Sequence, residues 1–204
     1  MPETVTVYYD YLCPYAWRGA ELCEIVSGAL GLEFRWHHFS LHQGANAHGD
    51  TQLWNGRIDP DDDSGGRGLL PFLASCAARA QGEEVYRAFR LAAMRAYHRQ
   101  GRPYTREVLV EVAEAAGAHM PSFERDLANP ERRTILAHEH HQALAQSVSA
   151  TPTFRFESGQ MGVLRLRQVP CGSEAAVGLF TACRALLESH PEVESVQRAR
   201  ASGN

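Results

Sequence analysis

The chain has 204 residues, with 24 Asp and Glu against 20 Lys and Arg, for a formal net charge of -4. That length suits one core carrying an insertion and is short for two average domains. The acidic balance excludes the basic surface that non-specific nucleic-acid binding needs, and no apolar run reaches the roughly 20 residues that cross a bilayer. Met1 to Val5 enters a strand pattern with no basic stretch or apolar signal core, so a cytoplasmic protein is expected.

Val5-Thr6-Val7-Tyr8-Tyr9 is β-branched and aromatic and predicts a buried strand. Asp10-Tyr11-Leu12 leads out of it. Pro14 suits the first position of a helix, where its missing N–H costs nothing. Trp17, Ala20, Glu21, Glu24, Ile25 and Leu30 give that helix an amphipathic pattern, and Gly28 or Gly31 ends it. Leu32 to His37 alternates as a second strand. Strand, helix, strand in this order predicts a parallel pair with a right-handed crossover. From Ser40 to Gly68 the chain reads as loop, given Gly44, Asn46, Gly49, the acid run Asp59 to Asp63 and Gly65-Gly66.

Helical spacing then takes over. Leu69 to Ala80 and Val85 to Tyr97 predict two helices, and Thr105 caps a third that Gly117 ends. A short helix surrounds Phe123. Asn129-Pro130-Glu131 supplies an N-cap, a first-position proline and a first-turn acid for a helix reaching about Ser147. Strand character returns at Thr153 to Phe156 and, past Ser158-Gly159, from Val163 to Val169, which predicts an antiparallel hairpin. Ser173 caps a final helix with Ala176, Phe180, Cys183 and Leu187 on one face, and a polar tail follows Pro191. The order is βαβ, a helical insert, then ββα. This is an α/β chain on the thioredoxin-like plan with a large all-helical insertion. Residues 1–39 and 148–190 form the thioredoxin-like part, 40–147 the loop and helical insertion, and 191–204 the tail.

Five cysteines (Cys13, Cys23, Cys76, Cys171 and Cys183) contain no C-x-x-C pair. Their odd count predicts no disulfide framework, and their spacing no zinc site. His138-Glu139-His140-His141 does not match H-E-x-x-H and reads as a solvated helix face, so no metal site is expected. Most of the cysteines read as small core residues, Cys76 and Cys183 on apolar helix faces among them. Cys13 does not. It joins a strand end to a helix start, where unsatisfied N–H groups favour a thiolate, the attacking form of the thiol. A second signal is Pro152, just before the third core strand. A cis bond there sets the Thr151 backbone beside the sulfur, ready to pair with an extended peptide or a small thiol.

The run Asp10 to Ala16, the helical insert and Ser149 to Phe154 together resemble the DsbA family, and most closely its cytoplasmic FrnE-like branch. Similarity to 2-hydroxychromene-2-carboxylate isomerases and kappa-class glutathione transferases is more distant. The resemblance covers nearly the whole chain in element order. It implies thiol-disulfide or thiol-conjugate chemistry, with Cys13 as the nucleophile and Pro14, Tyr15, Ala16, Thr151 and Pro152 around it. Ala16 is the departure: dithiol members carry C-x-x-C, and alanine cannot resolve a mixed disulfide. It fits a naturally monothiol protein, a fold kept for another task, or a trapping substitution, and the first reading is preferred.

Cys23 lies ten positions along the same helix, about 15 Å of rise, so it cannot resolve Cys13. Cys171 precedes the last helix, in a loop that helps hold a tripeptide in thiol-conjugating relatives. Cys171 is therefore the one candidate to resolve Cys13, and Cys171, Ser173 and Glu174 are candidate contacts. So are Tyr11 and Trp17, which flank the sulfur in sequence, and Tyr15, which suits substrate contact. His37 and His38 end the second strand, where one of them is a candidate to tune Cys13 or to donate a proton, and His38 is a further candidate contact. The expected function is a DsbA-like thiol-disulfide oxidoreductase acting on a disulfide or thiol-conjugate substrate. Nothing is expected to be tightly bound. A low-molecular-weight thiol of the glutathione, mycothiol or bacillithiol type serves as co-substrate, with no nucleic-acid or membrane partner, and a homodimer is left open. The alternatives are a thiol-cofactor-dependent isomerase or transferase, and a non-catalytic peptide-binding protein.

Overall fold

The computed structural model describes residues 2–45, 52–58 and 63–198. Asn46, Gly49 and the acids Asp59, Asp61 and Asp62 of the predicted loop lie outside the described residues.

Strands β1 (Glu3–Tyr9) and β2 (Leu32–His38) are parallel, with Val7 opposite Trp36 and Tyr9 opposite His38. The crossover between them is α1 (Pro14–Leu30). Gly31 ends α1 in the left-handed conformation at φ 63, and its N–H donates to the Ser27 carbonyl. β1 is central: Val5, Val7 and Tyr9 are fully buried, as expected for a strand covered on both faces.

After β2 come α2 (Leu41–Ala45), a single 3-10 turn (Leu53–Asn55), and the helices α3 (Leu69–Arg79), α4 (Glu83–His98), α5 (Arg106–Ala115), α6 (Met120–Leu127) and α7 (Glu131–Ala145). Buried Leu73, Phe89, Leu109 and Phe123 of these helices share one hydrophobic cluster with β1 and α1. Arg95 of α4 grips Glu21 of α1 at 2.7 Å, and Arg87 holds Glu24 at 2.9 Å.

Strand β3 (Thr153–Arg155) lies antiparallel to the other edge of β1, and β4 (Met161–Val163) pairs antiparallel with β3. The sheet order is therefore β2-β1-β3-β4. The C-terminal helix α8 (Ser173–Ser189) packs on α1. Its Phe180 meets Phe34, Phe154 and Phe156 edge-on, at ring-centroid separations of 5.8, 6.0 and 6.2 Å. This is a thioredoxin-like fold with a helical insertion between its halves.

Several expectations need correction. Leu41–Ala45 and Leu53–Asn55 are helical turns inside the predicted loop, because Ser40 Oγ accepts from Gln43 N and Gln43 Oε1 from Leu53 N. The second hairpin strand ends at Val163, where the pairing of Thr153 stops; the Leu166 carbonyl instead accepts from Arg18 of α1. Ser173 is the first helical residue of α8 and does not cap it; Gly172, at φ 87 and ψ 154, holds that position. Glu139 and His140 are buried, so only His138 and His141 of the histidine run face solvent. The helix-start signal at 129–131 shifts by one residue: Pro130 takes the cap position, while Asn129 Oδ1 accepts from Glu131 N at 2.9 Å. Thr105 caps α5 through Val108 N, as its sequence position predicts.

Candidate functional site

Where β1 ends, the backbone turns sharply into α1. Asp10 makes that turn. Its carbonyl accepts from Cys13 N at 3.1 Å, while its carboxylate accepts from Leu12 N at 2.8 Å and from Leu41 N at 2.7 Å. One buried side chain thus ties the Cys13 loop to the segment leaving β2. Burial pushes the Asp10 carboxyl up to about 6, against the two backbone N–H bonds that favour its charged form.

Cys13 occupies the N-cap of α1, with no side-chain capping bond and Pro14 as the first helical residue. The residue is 5 % exposed, and its Sγ donates to the Thr151 carbonyl at 3.4 Å. The Thr151–Pro152 peptide is cis. Pro152 packs on Gly19 so closely that a Cβ there would meet its Cγ at 3.0 Å. Glycine is what lets the helix, and with it Cys13, approach the loop before β3. The hydroxyl oxygen of Thr151 is buried and without a hydrogen-bond partner.

Around this pair the sequence-selected residues separate into two groups. Pro14 and Tyr15 are exposed beside the sulfur, and the guanidinium groups of Arg18 and Arg165 each lie 5.8 Å from the Tyr15 ring centre. Ala16, in the position of the second cysteine of a C-x-x-C pair, is fully buried. Tyr11 and Trp17 pack instead of lining an opening. Tyr11 is fully buried, and its carbonyl accepts from His98 Nε2 at 2.8 Å and Tyr104 at 3.2 Å. Trp17 stacks on the His98 ring at 5.6 Å and donates to Glu21. Burial lowers the affinity of His98 for a second proton.

His38 is not placed to tune Cys13. Its Nδ1 lies 2.6 Å from Glu139 Oε2 and its Nε2 2.9 Å from Ser75 Oγ, so both ring nitrogens are taken. Glu139 also pairs with Arg79 at 2.6 Å, and Ser75 Oγ lies 3.0 Å from the Tyr9 hydroxyl. Serine, histidine and glutamate stand in the order of a hydrolase triad, but Ser75 is fully buried and no substrate reaches it. The chain of bonds is a bracket that fastens β2 to α3 and α7. His37, half-buried, tilts against Tyr8 with ring centres 5.8 Å apart.

Among the thiols, Cys23 and Cys76 are buried, Cys183 is half-buried and Cys171 is exposed; all five are free. Burial pushes the Cys76 thiol up to about 12 and raises that of Cys23 as well. Ser173 and Glu174 are exposed at the start of α8, and no hydrogen bond joins them or Cys171 to Cys13 among the described residues. Nor does any group of three His, Cys, Asp or Glu among those residues suit a metal ion. No helix among them is long and apolar enough to cross a membrane.

Asp10, Ser75 and Glu139 are what sequence reading missed. Asp10 carried a usable signal, an acid set between a buried strand and the nucleophile's turn. Ser75 and Glu139 carried none, since their partner His38 is 37 and 101 residues away.

A thiol at the head of a helix packed on a mixed sheet, facing the carbonyl before a cis proline, defines a thioredoxin-fold thiol site. The chain belongs to the DsbA-like thioredoxin domain family, whose model matches residues 4–169. Among solved structures it is similar to a 2-hydroxychromene-2-carboxylate isomerase, at 16% identity and a TM-score of 0.64, covering 94% of this chain and 100% of that one. It is also similar to the cytosolic disulfide reductase DsbM from Pseudomonas aeruginosa, at 21% identity and a TM-score of 0.59, covering 89% and 98%. The same reductase with GSH gives 20% identity and a TM-score of 0.57, covering 93% and 100%. At these identities the likeness shows the fold alone. No curated protein matches the chain by sequence.

Proposed function

We propose that the chain is a cytoplasmic thiol-disulfide oxidoreductase of the FrnE-like kind, working through Cys13 alone with a low-molecular-weight thiol as co-substrate. The observation that carries this reading is Cys13 Sγ at the N-cap of α1, 3.4 Å from the Thr151 carbonyl, with Ala16 sealed where a resolving thiol belongs. The Cys13 thiolate attacks one sulfur of a substrate disulfide. A Cys13–substrate disulfide forms, and the other sulfur leaves as a thiolate that takes up a proton. A small thiol, as its thiolate, then attacks the substrate sulfur of that mixed disulfide. Cys13 is released as thiolate, and the substrate sulfur leaves in a disulfide with the small thiol. A second molecule of small thiol splits that disulfide, so the two electrons come from two small-thiol molecules that end as their own disulfide, not from a second protein cysteine. Cys76 and Cys23 are buried with thiols held protonated, which supports an external resolving thiol. The likeness to a reductase with GSH is compatible with a thiol of the glutathione type in that role.

The Thr151 hydroxyl, buried and unpartnered on the residue whose carbonyl accepts from Cys13, favours a second reading, in which a small thiol is bound as cofactor of an isomerase or transferase. In either case Tyr15, Cys171, Ser173 and Glu174 are the exposed residues available to contact it. The test is steady-state reduction of a small symmetrical disulfide by glutathione. Cys13→Ser loses the activity and Cys171→Ser retains it. Equal rates for Cys13→Ser and the parent overturn the proposal.

A further inference from the structure

Tyr15 stands in the first turn of α1, two residues past Cys13, and its exposed ring brings two distant stretches of chain together. Arg18 reaches it from the next turn of the helix, and Arg165 from the segment that follows β4. Each guanidinium carbon lies 5.8 Å from the ring centre, within cation–π range. Arg18 is anchored through Nη1, which donates to the Leu166 carbonyl at 3.2 Å. Its Nε and Nη2 have no partner and are not buried, so they open to solvent, and Arg165 and Arg167 are exposed.

Neither stretch supplies a counter-charge. No acid lies between Asp10 and Glu21, or between Glu157 and Glu174. Asp10 is buried with both carboxylate oxygens on backbone N–H groups, Glu21 is taken by Arg95 at 2.7 Å, and Glu157 accepts from Thr4 N at 2.9 Å. None of Arg18, Arg165 and Arg167 makes an ion pair among the described residues, with Glu174 or any other acid. Arg79, Arg95, Arg102 and Arg132, by contrast, each hold an acid within 2.8 Å. A chain of net charge -4 thus carries an unneutralised positive patch on the helix that begins at its nucleophile.

Exposed cations act through water, so their reach is the screening length, about 8–10 Å at moderate ionic strength. Five residues of helix separate Arg18 from Cys13, about 7.5 Å of rise. A charged group a few bonds from a sulfur at Cys13 lies inside that reach, and a guanidinium fork matches a carboxylate where the two meet. We infer that Arg18 and Arg165 are specificity-determining residues, which favour carboxylate-bearing disulfides and small thiols at Cys13 over neutral ones and disfavour cationic ones. The inference rests on the proposed exchange at Cys13 and adds the charge class of its partners. The chemistry is unchanged: the Cys13 thiolate attacks one sulfur, the Cys13–substrate disulfide forms, and the other sulfur leaves as a thiolate.

The test measures how fast three symmetrical disulfides of similar size modify Cys13 of the intact chain. They are 3,3′-dithiodipropionate, a dianion; 2-hydroxyethyl disulfide, neutral; and cystamine, a dication. Each rate, read by mass analysis of quenched samples, is divided by that of the same probe with N-acetylcysteinamide, a neutral free thiol. The division removes differences between the leaving thiols. The expected order is dianion, neutral, dication, with a span on the order of tenfold at low salt that shrinks at high salt. The double variant Arg18→Gln/Arg165→Gln should flatten that order. Equal normalised rates on the parent chain overturn the inference, as does the reverse order. A span indifferent to salt, or one that survives in the double variant, overturns the assignment to these arginines. Modification of Cys13 by none of the three overturns the thiol reading itself, a result distinct from equal rates. The comparison of probes and salt on the parent chain stands even if the double variant fails to fold.

Discussion

Cys13 Sγ lies 3.4 Å from the carbonyl oxygen of Thr151, 138 residues away along the chain. That contact joins the two halves of the thioredoxin-like sheet across the whole helical insertion. It also fixes what can approach the sulfur, because the Thr151 backbone lies alongside the thiol where an extended chain or a small thiol would pair. Everything that sets the position of α1 against the loop before β3 therefore bears on Cys13.

Gly19 is the clearest case. A Cβ at this position meets Pro152 Cγ at 3.0 Å, whereas one at Gly28, further along α1, meets nothing within 4 Å. Gly19→Ala is expected to lose about 1–3 kcal/mol through overpacking and to slow Cys13 labelling. Gly28→Ala is expected to gain up to about 1 kcal/mol from helix propensity. Urea unfolding of both variants checks this; a Gly19→Ala protein as stable as Gly28→Ala contradicts the packing.

Asp10 gives a pH signature. Its folded carboxyl is raised to about 6, so in the folded state it holds a proton that the unfolded chain has already lost. Its contribution is therefore favourable below the unfolded value near 4 and fades as pH rises to about 6, by about 3 kcal/mol at most. Buried His38, His98 and His140 have lowered affinities and pull stability the other way over the same range. The quantity to measure is thus the difference between parent and Asp10→Asn. It should move in favour of the variant as pH rises from about 4 to about 7. A difference that is flat with pH removes Asp10 as the buried titrating group.

Glu139 closes the bracket between β2 and α7, accepting from His38 N at 3.1 Å and pairing with His38 and Arg79, each at 2.6 Å. These partners hold its carboxyl well below the usual range, so its contribution is lost only as pH falls below about 4. Glu139→Ala removes the acceptor shared by His38 N, His38 Nδ1 and Arg79, and a loss of about 3 kcal/mol is expected near neutral pH. Denaturant unfolding reads it directly. A loss under about 1 kcal/mol contradicts the bracket.

Ala16→Cys restores a second thiol one helical turn from Cys13. The variant should form a disulfide between Cys13 and the introduced thiol, and turn over disulfides without stalling as a mixed disulfide. Mass analysis of quenched reactions separates the cases: the parent accumulates the adduct and the variant does not. Accumulation in both would mean that position 16 is not where resolution occurs.

Much of the fold was legible because its punctuation is local. Gly31 ends α1 and Pro14 starts it by their own backbone geometry, and Thr105 caps α5 with its own side chain. The end of β4 was not legible, since it depends on where Thr153 and Arg155 find partners and on Arg18 claiming the Leu166 carbonyl. The nucleophile and the proline opposite it could be read from motif and order. The buried bracket could not: His138 to His141 is polar in sequence, and Glu139 becomes interior only when His38 and Arg79 arrive from other elements. His38 was misjudged for the same reason, its strand-end position being visible and its partners not.

The central claim is that Cys13 is the thiol that exchanges. The most direct measurement is peptide mapping after brief exposure of the native protein to limiting oxidised glutathione near neutral pH. The account predicts the mixed disulfide on Cys13, ahead of the more exposed Cys171 and with Cys23 and Cys76 unmodified. An adduct that forms on Cys171 while Cys13 stays free would contradict it.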